Sequence, residues 1–166
     1  MRLESDRPIG CLLSGGLDSS SIVYLMNNIL RQQGKEQLQE TFSTVYKSDG
    51  TQYCDESQYI DAIAENLKVN TNQIEPKESD IFEQHRKVIH FMDTPPESTC
   101  MSGWHTFKCV KDSAVTVTLD GQGADEQLAG YLDYVRVYFA SLPLIECYKE
   151  VKYFWQIPKI KKHLFI

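Results

Sequence analysis

"CLLSGGLDSSSI", residues 11–22, passes from an apolar run into a small-residue turn and then into a segment of helical character. Gly15 and Gly16 let the backbone approach an anion closely with its N–H groups turned inward. A helix opening near Asp18 adds the positive end of its dipole. Ser14, Ser19 and Ser20 bring hydroxyl donors for phosphate oxygens. The lysine of a GxxxxGK(S/T) loop is missing. Asp18 is the odd member, because a carboxylate repels phosphate unless a cation stands between them, and a bridging Mg²⁺ resolves that conflict. The stretch reads as a metal–polyphosphate cradle without lysine. A capped helix after a glycine turn, with Asp18 or Ser19 as N-cap, is the plain alternative.

Outward from this turn, strand and helix signals alternate. Residues 8–13 are short and apolar, and the following helix carries a stripe of Ile22, Leu25, Met26, Ile29 and Leu30, with Gly34 as its stop. Residues 41–46, "TFSTVY", alternate like a strand. A second helix opens at Asp55 and is expected to bury Tyr59, Ile60, Ile63, Ala64 and Leu67. A short strand is predicted over 71–74. Ser79 is placed as the cap of a helix carrying Ile81, Phe82, His85, Val88, Ile89 and Met92. "DTPPES", residues 93–98, must end that helix, because adjacent prolines cannot continue it. A helix over 103–111 leads into "AVTVTL", residues 114–119, the clearest strand of the chain.

Such alternation implies an α/β fold with a parallel sheet and flanking helices. Ligands in these sheets sit outside the carboxyl ends of strands, at a topological switch point. The glycine turn after residue 13 lies at such an end, and so does "DGQGADE" after residue 119. This second turn gathers Asp120, Asp125 and Glu126 around Gly121 and Gly123. By itself it reads as a solvated acidic loop. Beside the first turn, it offers a second face for Mg²⁺ and makes a nucleotide site the better reading.

Composition narrows the partners. The 166 residues suffice for a domain burying roughly 70% of its unfolded surface, and 42% apolar with 24% charged residues is ordinary for a globular protein. A net charge of -6 argues against nucleic acid or anionic membranes as partners. No membrane span or secretion signal is expected. Cys11, Cys54, Cys100, Cys109 and Cys147 form an odd set without a CxxC pair, which suits reduced thiols in a cytoplasmic setting. From residue 132 onward the chain is rich in aromatics. Helices that expect a further partner are preferred there over a membrane-surface segment around Lys159, Lys161 and Lys162, since Pro143 and Pro158 break any long helix.

"SGGLDSS" resembles the pyrophosphate loop of N-type ATP pyrophosphatases. Its ordered pairing with "GQGADEQLAGY", residues 121–131, resembles the synthetase domain of glutamine-hydrolysing asparagine synthases. "RLESDRPIGCLLSGGLDSSSI" and "DESQYIDAIAENL" extend the likeness, which spans residues 2–131 and then fades. The resemblance implies a PP-loop, Rossmann-type sandwich with five parallel strands, four of which are visible as signals. It implies ATP and Mg²⁺, cleavage between the α and β phosphates, adenylation of a carboxylate (usually aspartate), and displacement of AMP by ammonia. Ser14, Gly15, Gly16, Asp18 and Ser19 would hold pyrophosphate, with Asp18 and Asp125 at the metal. Leu13, Val45 and Gly121 match positions lining the adenine pocket. Asp18, Gln122 and Asp125 are the catalytic matches.

Three departures stand beside it. The family commonly has Glu where this chain has Gln122, and an amide can neither act as a base nor carry charge. The glutaminase domain with its cysteine nucleophile has no counterpart, since Cys11 sits in a strand. A downstream basic residue is also unmatched by Lys108, Lys111 or Lys149. The expected organisation is a core over residues 1–131 and the start of an incomplete helical region over 132–166, truncated at both ends. Little turnover is expected from the isolated chain. An ATP-binding module without turnover is the alternative, and a homodimer of a full-length protein is kept open. His85 and His90, five apart, do not share a metal-binding helical face. Asp55 and Glu56 either face the ATP site or favour a helix N-terminus. Asp93 reads as a loop cap and Trp104 as packing surface.

Overall fold

The computed structural model describes residues 5–34, 39–96, 100–131 and 133–157. The chain falls into two compact units, Met1–Gly121 and Gln122–Ile166. In the first, the order is β1 (Ile9–Leu12), α1 (Leu17–Gln32), β2 (Glu40–Thr44), α2 (Ser57–Leu67), β3 (Asn70–Ile74), α3 (Ile81–Met92), α4 (Cys100–Lys111) and β4 (Val117–Leu119). Two single 3-10 turns, Gln52–Cys54 and Glu78–Asp80, precede α2 and α3.

All strand pairs are parallel, and the sheet order is β3-β2-β1-β4. Cys11 pairs with Thr41 on one side and with Leu119 on the other. The chain therefore walks outward from β1 through β2 to β3, then returns to lay β4 on β1's opposite flank. The switch point lies between β1 and β4, the two strands that lead into the glycine turns.

β2 is an inner strand covered on both faces, so Thr41, Phe42 and Ser43 are all buried and "ETFST" shows no strict alternation. Cys11, Leu13, Val23, Met26, Val45, Ile60 and Ala64 form one cluster with α1 and α2. Phe42, Val110 and Val115 form a second, joined by Leu12 and by Cys109 of α4. Neighbouring residues of β1 thus feed opposite layers, the expected consequence of a period of two. The fold is an α/β sandwich with a parallel sheet, as the sequence implies.

Several local expectations are corrected. α1 begins at Leu17 with Gly16 as its N-cap, so Asp18 and Ser19 are first-turn residues rather than caps. Its buried face holds Ser19, Val23, Met26 and Asn27, while Leu25 is exposed. Ile22 and Leu30 pack against the core as expected, and Asn27 reaches across to α2, its Nδ2 donating to the Leu67 carbonyl at 3.3 Å. α2 starts at Ser57, and Tyr59 is exposed while Ile60 and Ala64 are buried. α3 has Asp80, not Ser79, at its N-cap; the Ser79 hydroxyl donates to the Asp80 carboxylate instead. α3 packs on α4, so only Gln84 and Val88 are buried, and Ile81, Phe82, Ile89 and Met92 stay exposed. Trp104 does act as packing: its Nε1 donates to Gln84 Oε1 at 3.0 Å and its ring stacks on Phe91. Asp93 closes α3 in a left-handed conformation at φ 54°.

In the second unit α5 (Ala124–Leu128), α6 (Asp133–Ser141) and α7 (Leu144–Phe154) follow one another. Pro143 stands at the N-cap of α7 and separates it from α6. Tyr138, Phe139 and Phe154 meet ring to ring across the two helices. Lys159, Lys161, Lys162, Pro158 and the end of the proline segment, Glu97 and Ser98, lie outside the described residues. Among the described residues, no helix is long and apolar enough to cross a membrane.

Candidate functional site

The glycine turn between β1 and α1 is built by its own hydroxyls. The Ser14 N–H donates to Ser19 Oγ at 3.2 Å, and the two serine hydroxyls lie 3.0 Å apart. Ser19 Oγ donates to the Gly16 carbonyl at 3.3 Å and Ser20 Oγ does so at 2.5 Å. Ser14 Oγ accepts from the Gly16 N–H at 3.4 Å. The first-turn N–H groups of Leu17, Asp18 and Ser19 precede any intrahelical acceptor, which leaves the positive end of α1 at the turn's mouth.

The two glycines are required for different reasons. Gly15 has φ +81°, and a Cβ there would stand 2.8 Å from Tyr59 Cβ. The start of α2 is thus seated directly on the turn. Gly16 has φ -70° and ψ 163°, and a Cβ would meet nothing but Ser14 Oγ at 3.4 Å. Protein packing does not demand glycine at 16. A ligand drawn close to the backbone would.

The second turn arrives from the other side of the switch point. A Cβ on Gly121 would lie 3.0 Å from the Ser19 nitrogen and 3.3 Å from Asp18 Cβ and its carbonyl carbon. The exit of β4 therefore rests on the first turn of α1, and the two glycine-rich stretches meet at Gly121, Asp18 and Ser19. Leu13 and Val45, expected at the adenine pocket, both have side chains buried in the core at the ends of β1 and β2.

Nearby carboxylates have structural duties. Asp55 takes the Ser57 hydroxyl at 2.6 Å and the Tyr46 N–H at 3.0 Å, which holds its carboxyl below the usual range and ties the exit of β2 to the start of α2. Desolvation, then the Asp55 charge, raises the Glu56 carboxyl. In the second unit Gly123, at φ +97°, opens α5, and Asp125 and Glu126 lie in its first turn. The Asp125 carbonyl accepts the Gly130 N–H at 2.9 Å, and a Cβ on Gly130 would land on the Asp125 carboxylate. The Tyr131 hydroxyl donates to Glu126 at 2.8 Å, which pushes the phenol up to about 12 and draws the carboxyl down. Glu126 is therefore occupied in holding its own turn.

A protein-family comparison matches residues 1–159 to the family described as asparagine synthase. The chain belongs to the asparagine synthase family. A Methanocaldococcus jannaschii protein, provisionally named as a glutamine-hydrolysing asparagine synthetase, is 34% identical over 141 residues, covering 83% of this chain and 25% of that one. A glutamine-hydrolysing asparagine synthetase of Bacillus subtilis is 31% identical over 134 residues, 81% of this chain and 20% of that one. An amidase of Penicillium rubens is 26% identical over 140 residues, 79% and 20% of the two chains. The chain spans a fifth to a quarter of the length of these relatives.

In this member of the family, Ser14, Gly15, Gly16, Asp18, Ser19 and Gly121 come together around one turn. Gln122, exposed, and Asp125, half-buried, belong to the second unit. Among the described residues no three His, Cys, Asp or Glu side chains gather into a metal cage. The donor set fits Mg²⁺ with a polyphosphate all the same, since Mg²⁺ takes one or two carboxylates and completes its shell with phosphate and water. Tyr59, expected among the buried residues of its helix, stands exposed with its Cβ against Gly15 of the first turn. Tyr131, the last residue of the second motif, serves that stretch itself by holding Glu126.

Proposed function

We propose that this chain carries the ATP-cleaving, amide-forming chemistry of an asparagine synthetase, a ligase that makes a carbon–nitrogen bond. A small carboxylate, aspartate foremost, attacks the α-phosphorus of ATP and releases pyrophosphate. Ammonia then displaces AMP to give the amide, the closing step of asparagine biosynthesis by an amidotransferase whose glutaminase supplies the ammonia. The observation that supports this reading is the seating of Gly121, at the exit of β4, on Asp18 and Ser19 at the start of α1. Ser14, Gly15, Gly16 and Ser19 would hold the departing pyrophosphate through N–H and hydroxyl groups, where negative charge develops. Asp18 and Asp125 would hold Mg²⁺, which supplies positive charge to the phosphates. Leu13, Val45 and Gly121 supply the strand ends against which adenine would lie. Five free cysteines suit a reducing, cytoplasmic setting.

The test is isotope exchange between pyrophosphate and ATP in the full-length protein, with aspartate and other small carboxylates as acceptors. Carboxylate-dependent exchange is expected. Tight Mg–ATP binding with no exchange for any acceptor sinks the synthetase reading. Gln122 favours a second reading, an ATP-binding module without turnover, because a neutral amide orients but cannot take a proton. Gln122→Glu in the full-length protein separates the two: AMP production by the variant alone selects the binding module.

A further inference from the structure

The peptide unit between Leu13 and Ser14 is the point where β1 leaves the sheet and the glycine turn begins. Its N–H end is held by Ser19 Oγ of α1 at 3.2 Å. Its carbonyl end, the Leu13 oxygen, accepts the Ser43 hydroxyl of β2 at 2.6 Å. A trans peptide is rigid and planar, with C=O and N–H pointing to opposite sides. Gripping both ends therefore fixes the rotation of the whole unit, and with it the direction in which the chain enters the turn. The Leu13 N–H is spent on the Phe42 carbonyl at 2.9 Å, so the residue before the unit is anchored too. Ser43 and Leu13 are each 2% exposed, so water does not compete for this bond.

We propose that Ser43 is a positioning residue of the phosphate-binding turn, its hydroxyl clamping the Leu13–Ser14 peptide against the opposing Ser19 hydroxyl. The clamp sets Ser14 Oγ where it receives the Gly16 N–H, and so orders the turn before any ligand arrives. Such preorganisation raises affinity by removing an ordering cost from the binding step. The consequence for nucleotide rests on the function proposed above; the clamp itself does not.

The test compares Ser43→Ala with Thr41→Val. Thr41 lies on the same strand, is equally buried, and spends its hydroxyl on the Asn70 carbonyl at 3.1 Å, away from the turn. Amide hydrogen exchange of the ligand-free chain is read first. Ser43→Ala is expected to lower protection of the Ser14 amide by roughly tenfold or more, while Thr41→Val leaves it within about twofold. Mg–ATP titration is read second, with Ser43→Ala expected to raise the dissociation constant about tenfold and Thr41→Val to leave it near the parent value. Ser14 protection unchanged in Ser43→Ala overturns the clamp, as does an equal effect from Thr41→Val. Lost protection with unchanged Mg–ATP affinity overturns the positioning role. A parent chain that binds no Mg–ATP removes the nucleotide reading instead, and the exchange result then decides the clamp by itself.

Discussion

Replacing Gly16 with alanine separates the two reasons a glycine can stand at the mouth of a phosphate-binding turn. Its φ of -70° and ψ of 163° suit any residue, and the added methyl would find only Ser14 Oγ, at an ordinary contact distance of 3.4 Å. As an N-cap, alanine is worse than glycine by about 0.5–1 kcal/mol. The loss of chain entropy in the unfolded state returns about 0.4–1 kcal/mol. The two terms nearly cancel, so urea unfolding is expected to move by no more than about 0.5 kcal/mol. Binding behaves differently if phosphate lies against this backbone, because the methyl holds it off the turn. Titration with Mg–ATP should then show at least a tenfold weaker constant, about 1.4 kcal/mol. Gly15→Ala is the contrasting variant. Its φ of +81° costs alanine about 1–2 kcal/mol, and the 2.8 Å approach to Tyr59 Cβ adds overpacking strain, so stability itself should fall. Gly16→Ala with full Mg–ATP affinity refutes the cradle; Gly16→Ala with a stability loss like that of Gly15→Ala refutes the steric reading.

Gly121→Ala drives a methyl to 3.0 Å from the Ser19 nitrogen, and backbone must shift, so a stability loss of about 1–3 kcal/mol together with weaker Mg–ATP binding is expected. An unchanged urea midpoint would show that the turns do not meet. Burial raises the Cys11 thiol from 9.0 to about 11. Its contribution is full below pH 9 and is lost as pH climbs toward 11, by about 2–3 kcal/mol, since only the unfolded thiol ionises in that window. Urea midpoints at pH 8 and 10.5 should diverge in the parent and much less in Cys11→Ala; equal divergence refutes this. Tyr131 should ionise near 12 by ultraviolet titration, and Glu126→Gln should return it toward the ordinary phenol value. A curve that does not move removes the Glu126–Tyr131 bond.

The parallel α/β layout was readable because β1 and β4 are apolar runs that end in glycine turns, a pattern set by backbone sterics rather than by distant contacts. Cap positions were less readable. Capping preference favours Asp18 or Ser19, yet the serine hydroxyls turn back onto the Gly16 carbonyl and start α1 at Leu17. Apolar periodicity places most of α1's covered face, Ile22, Met26 and Leu30, but not its polar members, Ser19 and Asn27, nor the exposure of Leu25. Hydropathy assigns Ser43 no significance, because its duty is a single hydrogen bond to a carbonyl made possible by strand register. The exposed stripe of α3 shows the converse, apolar periodicity on a helix whose neighbours cover only Gln84 and Val88.

The order β3-β2-β1-β4 also has a consequence in time. β1, β2 and β3 emerge in sequence and pair with near neighbours, but β1's other flank waits for β4, made about a hundred residues later. Long closures of this kind are slow to form. A nascent chain thus displays the first glycine turn while the strand that delivers Gly121 has yet to dock. By mass action, anything that binds only the chain with β4 in place draws it toward that state. A ligand held across Asp18, Ser19 and Gly121 would in that way favour the chain in which β4 has already docked on β1.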